Sequence, residues 1–269
     1  MKRKFICFAD SRMMPSLERI KKQAAELQFF DEINAMSEHD LPDSFKKQHE
    51  RLMKRGVRGF GYWVWKPYII QKSLEALEDG DELWYLDTGC HLNAKGRERL
   101  FHYANILASS PIGIAAFQLE EACSEKAYTK MDLMIHFGVE NNQSITHTGQ
   151  LCTTHILMRK CPQVMQFVED WKSTWNDMHL IDDTPSRTPN FPEFIEHRHD
   201  QSVFSLLAKL RGVAIISGCE TWPGKSRDWS KLENYPFWDK RDLGLTTHTL
   251  ARFIRKIKRI WHMMRMKWK

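Results

Sequence analysis

The opening of the chain already restricts the fold. Phe5-Ile6-Cys7-Phe8-Ala9 is an apolar run too short for a helix and stops at Asp10-Ser11, so it reads as a buried strand. Pro15 suits the first turn of a helix, and Leu17, Ile20, Ala24 and Leu27 recur three and four residues apart, which predicts an amphipathic helix to about Phe29. Asp31 to Met36 reads as a second, weaker strand. A strand, a helix and a strand in so short a span form a βαβ unit, whose handedness puts the helix on one face of a parallel sheet. The expected class is therefore α/β, with a mostly parallel central sheet flanked by helices.

At 269 residues the chain is long enough for one large α/β domain, and nothing in it reads as a linker or an internal repeat. The net charge of +6 is misleading until it is located. Residues 250–269 hold eight of the 40 Lys and Arg residues and no acid, leaving 32 bases against 34 acids in the rest. A body that is not basic argues against a nucleic-acid partner. The six cysteines are scattered with no Cys-x-x-Cys pair, as expected of free thiols in a reducing compartment. The apolar run near the N-terminus spans about five residues, against the 7–15 of a signal peptide, and no stretch approaches the ~20 of a membrane span. A cytoplasmic protein is expected.

Three stretches carry chemistry. In Asp81 to Asn93, a buried-strand run (Leu83, Trp84, Tyr85, Leu86) breaks into Asp87-Thr88-Gly89. A carboxylate and a glycine at the carboxyl end of a strand are how open α/β sheets hold substrates, although the same residues also suit a solvent-facing turn. In Gly56 to Ile70, three glycines precede Tyr62, Trp63 and Trp65, then Lys66-Pro67, with Pro67 placed to begin a helix to about Glu78. Lys66 beside a helix start suits a diphosphate, or else stands in solvent over a core cluster. In Glu196 to Leu210, the apolar side Val203, Phe204, Leu206, Leu207 and Leu210 marks a helix, and Glu196, His197, His199, Asp200 and Gln201 crowd its N-terminus. There the helix dipole lowers the pKa of an acid, and Asp200 is either a functional carboxylate or the N-cap.

The remaining elements read plainly. A charged helix is expected over Ala94 to Leu107, strands over Ile112 to Phe117 and Leu151 to Met158, and a helix over Pro162 to Met178. Ala127-Tyr128-Thr129-Lys130 leads into a short helix through Asp132. The proline-containing loop Asp182 to Phe194 is long enough to be a lid or a substrate loop.

GFGYWVWKPYII, YLDTGCHLN, EKAYTKMDL and IEHRHDQSVFSLL, in this order, resemble a family of bacterial glycosyltransferases associated with capsule and lipopolysaccharide synthesis. The resemblance covers about residues 3 to 220. It implies a GT-A fold, a Rossmann-like sheet binding a nucleotide sugar at its strand ends, often with Mn²⁺ or Mg²⁺ on an Asp-x-Asp motif. Asp87 would match the first acid, as a catalytic residue and metal ligand, while the second acid's position is Gly89. A divalent cation would then rest on one carboxylate, phosphates and waters. Asp200 and Gln201 would match the Asp-Gln pair facing the donor sugar's anomeric centre, and Lys66 would face the diphosphate. Asp10, Trp65, Gly89, Lys130, Asp132, His197 and His199 would complete the substrate site. The implied activity moves a sugar from a nucleoside-diphosphate sugar to a hydroxyl of a cell-surface glycan or lipid-linked acceptor. The missing second acid leaves room for an alternative, a non-catalytic, membrane-associated sugar- or nucleotide-binding protein.

The division expected is a catalytic domain over 1–249 and a tail over 250–269. In the tail Phe253, Ile257 and Trp261 recur at helical spacing, while Arg255, Lys256 and Arg259 gather on the other side. A basic amphipathic helix with tryptophans suits the anionic inner face of a membrane, at about 1 kcal/mol per Lys or Arg near the lipid, or else docks on the body or an acidic partner. The full chain is expected to co-sediment with anionic vesicles far better than a version ending at Thr249; equal binding would refute the tail's role.

Overall fold

The computed structural model describes residues 1–54 and 56–242. The expected tail helix and its membrane-binding residues lie outside them. The sheet is built from β1 (Arg3–Ala9), β2 (Glu32–Ser37), β3 (Glu82–Leu86), β5 (Ile114–Gln118), β6 (Leu151–Arg159) and β7 (Ala214–Ser217), in the order β2-β1-β3-β6-β5-β7. All neighbours are parallel except β6, which runs antiparallel to both β3 and β5. A small second sheet pairs β4 (His91–Leu92) with β8 (Phe237–Trp238). The α/β class with a mostly parallel sheet is what the chain forms. Among the described residues no helix is long and apolar enough to cross a membrane.

Alternation along the strands divides the core between two faces. Ile6, Phe8 and Tyr85 point into one cluster, covered by the helices Trp65–Glu75, Pro162–Ser173 and Asp200–Arg211. Phe5, Cys7, Trp84 and Leu86 point into the other, covered by the helices Met14–Glu26 and Arg97–Ala108.

The chain moves from β1 outward to β2, then back across β1 to β3, so the direction of winding reverses between β1 and β3. Carboxyl ends flanking such a reversal leave the crevice in which open α/β sheets bind ligands. Asp10 follows β1 and Asp87 follows β3, and the Thr88 hydroxyl ties the two ends by donating to the Phe8 carbonyl at 2.8 Å.

A second irregularity lies at the same mouth. Ala116 pairs with Ile156 and Gln118 with Leu151, so two steps along β5 face five along β6. The excess is taken up as a bulge, a feature that re-aims side chains. Cys152 and His155 join the cluster of Phe117 and Phe237, whereas the Thr153 hydroxyl reaches the opposite face.

Several boundaries, and the burial of one residue, differ from the sequence reading. The helix expected from Pro67 begins two residues earlier at Trp65, and that expected to Met178 ends at Ser173 before a 3₁₀ turn. Leu210, expected on the buried side of its helix, is 45% exposed.

Candidate active site

Lys66 is the centre of the mouth. The helix Trp65–Glu75 carries it inward, and its ammonium lies 2.9 Å from Asp200 Oδ2 and 3.2 Å from Asp87 Oδ1. The sequence reading placed Lys66 facing a diphosphate; in the fold it is 1% exposed and held between two carboxylates. Thr153 completes the enclosure, its carbonyl 3.3 Å from Nζ and its hydroxyl donating to Asp200 Oδ2 at 2.9 Å. The Tyr85 hydroxyl donates to Asp87 Oδ1 at 2.6 Å. Asp87 and Asp200, 113 positions apart in the chain, therefore meet on one ammonium.

The electrostatics follow from burial. Removing Lys66 from water works against its charge, but Asp200 and then Asp87 outweigh that and hold its pKa above the ordinary lysine value. Asp200 moves the other way: burial raises its pKa and outweighs the nearby ammonium. The lowering expected from its place at a helix N-terminus is thus overturned, because desolvation of a carboxylate 3% exposed exceeds the dipole's effect. Asp87, with about a third of its side chain exposed, is the carboxylate that opens outward.

The backbone beside Lys66 is strained. Gly59, Phe60, Gly61, Tyr62 and Trp63 all have φ between 51° and 97°, a left-handed turn in which each non-glycine residue costs about 1–2 kcal/mol. Gly59 is required there, since a Cβ would stand 2.3 Å from the Trp63 ring. Trp65 stacks on Phe8 and closes the turn by donating its indole N–H to the Gly59 carbonyl at 3.0 Å. His199, also at positive φ (50°), stands directly before Asp200. Its Nδ1–H donates to the Ile181 carbonyl at 2.6 Å, which leaves Nε2 without a hydrogen bond, 3.5 Å from Asp183 Oδ1 and beside the rings of Tyr62 and Trp63. Strain of this kind persists where the surroundings over-determine a functional geometry.

The other expected residues divide by what holds them. Gln201 donates to Gln150 Oε1 at 2.7 Å, and Gln150 donates to the wholly buried Glu125, which is also bonded by Thr129, Ser205 and Lys209. Asp10 is bonded by the guanidinium and backbone N–H of Arg12. Lys130 donates to the carbonyls of His179, Asp182 and Thr184, and Asp132 accepts from His179 and from the N–H groups of Arg187 and Thr188. Burial works against the charge on Asp132, but these hydrogen bonds hold its carboxyl well below the usual range. His197 is neutral, pushed down by burial, with Nε2–H donating to the Leu180 carbonyl. Lys130, Asp132 and His197 thus spend their polar atoms fastening the segment 179–188, which overlaps the loop Asp182 to Phe194 that the sequence suggests as a lid or substrate loop. Tyr85, Thr153, Glu125 and Gln150 were missed, since each is an unremarkable residue within a strand, just before one, or in a short helix until packing aims it.

A divalent cation finds a thin ligand set. Gly89 offers no carboxylate, its carbonyl accepts the Asp242 N–H at 2.9 Å, and a Cβ there would touch Arg241. Asp87 Oδ1 is occupied by Tyr85 and Lys66, so Asp87 Oδ2 is what remains at the end of β3.

No protein-family model and no curated protein matches the chain. Solved structures do. A glycosyltransferase involved in the glycosylation of the major capsid of PBCV-1 is 12% identical, with a TM-score of 0.49, over 88% of this chain and 92% of that one. Mouse xyloside xylosyltransferase 1 is 10% identical, with a TM-score of 0.46, over 88% and 93%. The galactosyltransferase LgtC is 10% identical, with a TM-score of 0.41, over 81% and 74%. Identities this low leave the chemistry of the mouth to its own residues.

Breaking a buried ion pair from one side leaves an uncompensated charge, worth about 3–5 kcal/mol. Lys66→Met, which leaves two carboxylates facing each other, is expected to lower stability by about that amount in urea unfolding. A loss under about 1 kcal/mol would show that Lys66 does not hold the pair together.

Proposed function

We propose that the chain is a glycosyltransferase of GT-A type, moving a sugar from a nucleoside-diphosphate sugar to a hydroxyl of a cell-surface glycan or lipid-linked acceptor. The observation that carries this reading is the buried Lys66 holding Asp87 and Asp200 at the crevice between the ends of β1 and β3. The trio carries one net negative charge when both acids are ionised, and its ammonium lies behind the outward carboxylate. Such a site favours a cationic centre at its mouth.

Sugar transfer passes through an oxocarbenium-like state, so a fixed carboxylate beside the anomeric carbon is stabilising where charge develops. In this reading Asp87 receives the donor sugar, and Asp200, locked by Lys66 and Thr153, faces the anomeric centre with Gln201 beside it. The unbonded Nε2 of His199 accepts a hydrogen bond from a substrate hydroxyl. A divalent cation on the diphosphate would add positive charge to the leaving group, with Asp87 Oδ2 as its protein ligand.

Asp87→Asn and Asp200→Asn are each expected to reduce release of nucleoside diphosphate from a responsive nucleotide sugar by about 100-fold or more in a chain that still unfolds cooperatively, although Asp200→Asn, which takes a partner from the buried Lys66, also lowers stability. Wild-type turnover in either variant would remove that residue from the site. A sugar- or nucleotide-binding protein is the second reading, favoured by Gly89 in place of the second acid. Saturable binding of a nucleotide sugar with no turnover, with or without Mn²⁺ and acceptor, would establish it. Because one carboxylate oxygen beside an ammonium is a poor cation site, the protein without nucleotide is expected to show no saturable Mg²⁺ binding by calorimetry. A stoichiometric site would mean that a second acid reaches Asp87.

A further inference from the structure

We infer that Cys90, His155 and Asp239 form a zinc-binding site on the face of the sheet opposite Lys66. They come from three parts of the chain: the turn after β3, the bulge of β6, and the residue following β8. Their donor atoms Sγ, Nε2 and a carboxylate oxygen all lie within 4.8 Å of one another. This inference is independent of the transferase reading.

The spacing suits a tetrahedral ion. With Zn–S of about 2.3 Å and Zn–N and Zn–O of about 2.0 Å, donors stand roughly 3.5 Å apart for S···N and S···O, and roughly 3.3 Å for N···O. Cys90 Sγ lies 3.7 Å from His155 Nε2 and 3.5 Å from Asp239 Oδ1. Nε2 and Oδ1 are 2.7 Å apart, the length of a hydrogen bond, so binding asks only that the carboxylate draw back by about 0.6 Å.

The donors are held in place by their surroundings. The His155 ring stacks on Phe237 at 5.3 Å and 7°, and its Nδ1 lies 3.8 Å from Cys152 Sγ. The Thr221 hydroxyl donates to Asp239 Oδ2 at 3.1 Å, an outer contact of the kind that orients a ligating carboxylate. Cys90 and His155 are buried, while Asp239 keeps 13% of its side chain exposed and gives an ion a way in.

The charge also balances. A thiolate and a carboxylate cancel a dication, and imidazole adds none, so the occupied site is neutral in a setting where net charge is costly. Without an ion, the Cys90 thiol donates to Asp239 Oδ1 and a proton lies between His155 Nε2 and the same oxygen. Zinc then takes Sγ and Nε2 and releases two protons, the thiol hydrogen and the one shared between Nε2 and Oδ1. Thiolate with imidazole selects zinc over Mg²⁺ or Mn²⁺, which prefer all-oxygen sets. The bound ion fastens the turn after β3 and the bulge of β6 to the segment 237–242, whose Asp242 N–H meets Gly89.

The test loads the full chain with Zn²⁺ or Co²⁺, removes free ion by gel filtration, and measures metal content, absorption and melting. One equivalent of zinc per chain is expected, with Tm raised by several degrees over the metal-free protein. The cobalt form should show thiolate-to-cobalt charge transfer and the intense visible bands of a tetrahedral site, both lost in Cys90→Ser and kept in Cys219→Ser. Wild type that retains no stoichiometric metal, or a cobalt form lacking the thiolate band, overturns the site. Retention of the band by folded Cys90→Ser also overturns it. If Cys90→Ser fails to fold, the wild-type cobalt spectrum decides alone.

Discussion

An ammonium sealed away from water must be compensated, and the mouth of this sheet is arranged around that requirement. Lys66 is held by Asp87 at the end of β3, by Asp200 at the start of a late helix, and by Thr153 on β6. Well-packed apolar residues in place of the whole trio would serve stability as well or better, because desolvation of buried ions is rarely recovered in full, whereas removing one member alone is costly. The presence of Lys66 beside an exposed carboxylate, at the reversal of winding between β1 and β3, is where a rule of core design yields to chemistry.

The bulge in β6 lets one strand serve two polar clusters. A regular strand would send Thr153 and His155 to the same face. With the excess residues between Leu151 and Ile156, Thr153 reaches Lys66 while His155 and Cys152 turn to the other side. Two groups of titratable residues thus lie back to back at the end of β3, one around an ammonium and one around an imidazole. The left-handed turn Gly59–Trp63 and the positive φ of His199 add strain at the same end, so local backbone preference gives way here to the positioning of side chains.

Much of the frame was legible in the residues. The periods of the first strand, helix and strand predicted a parallel pair, and Asp87 at the close of an apolar run was visible as a strand-end carboxylate. The Asp200 cluster was visible for a similar reason: too many polar side chains for one cap. What misled was burial. Lys66 read as a cation facing a diphosphate or standing in solvent, and Asp200 as an acid made stronger by a helix dipole, while nothing in the residues around Lys130 and Asp132 announced that they hold a loop. Each of these depends on which neighbours exclude water, and a local pattern does not carry that.

By itself, then, the sequence determined the α/β class, the two carboxylate stretches and the acid–base balance of the body, since periodicity, strand ends and composition are properties of neighbouring residues. Only the tertiary structure decided that Asp87 and Asp200 share Lys66, that Gly89 faces Arg241 and Asp242, and that Cys90, His155 and Asp239 converge. These are contacts between segments tens to more than a hundred residues apart. Their geometry is set by strand order, a bulge and the desolvation of charge, and these exist only once the chain has packed.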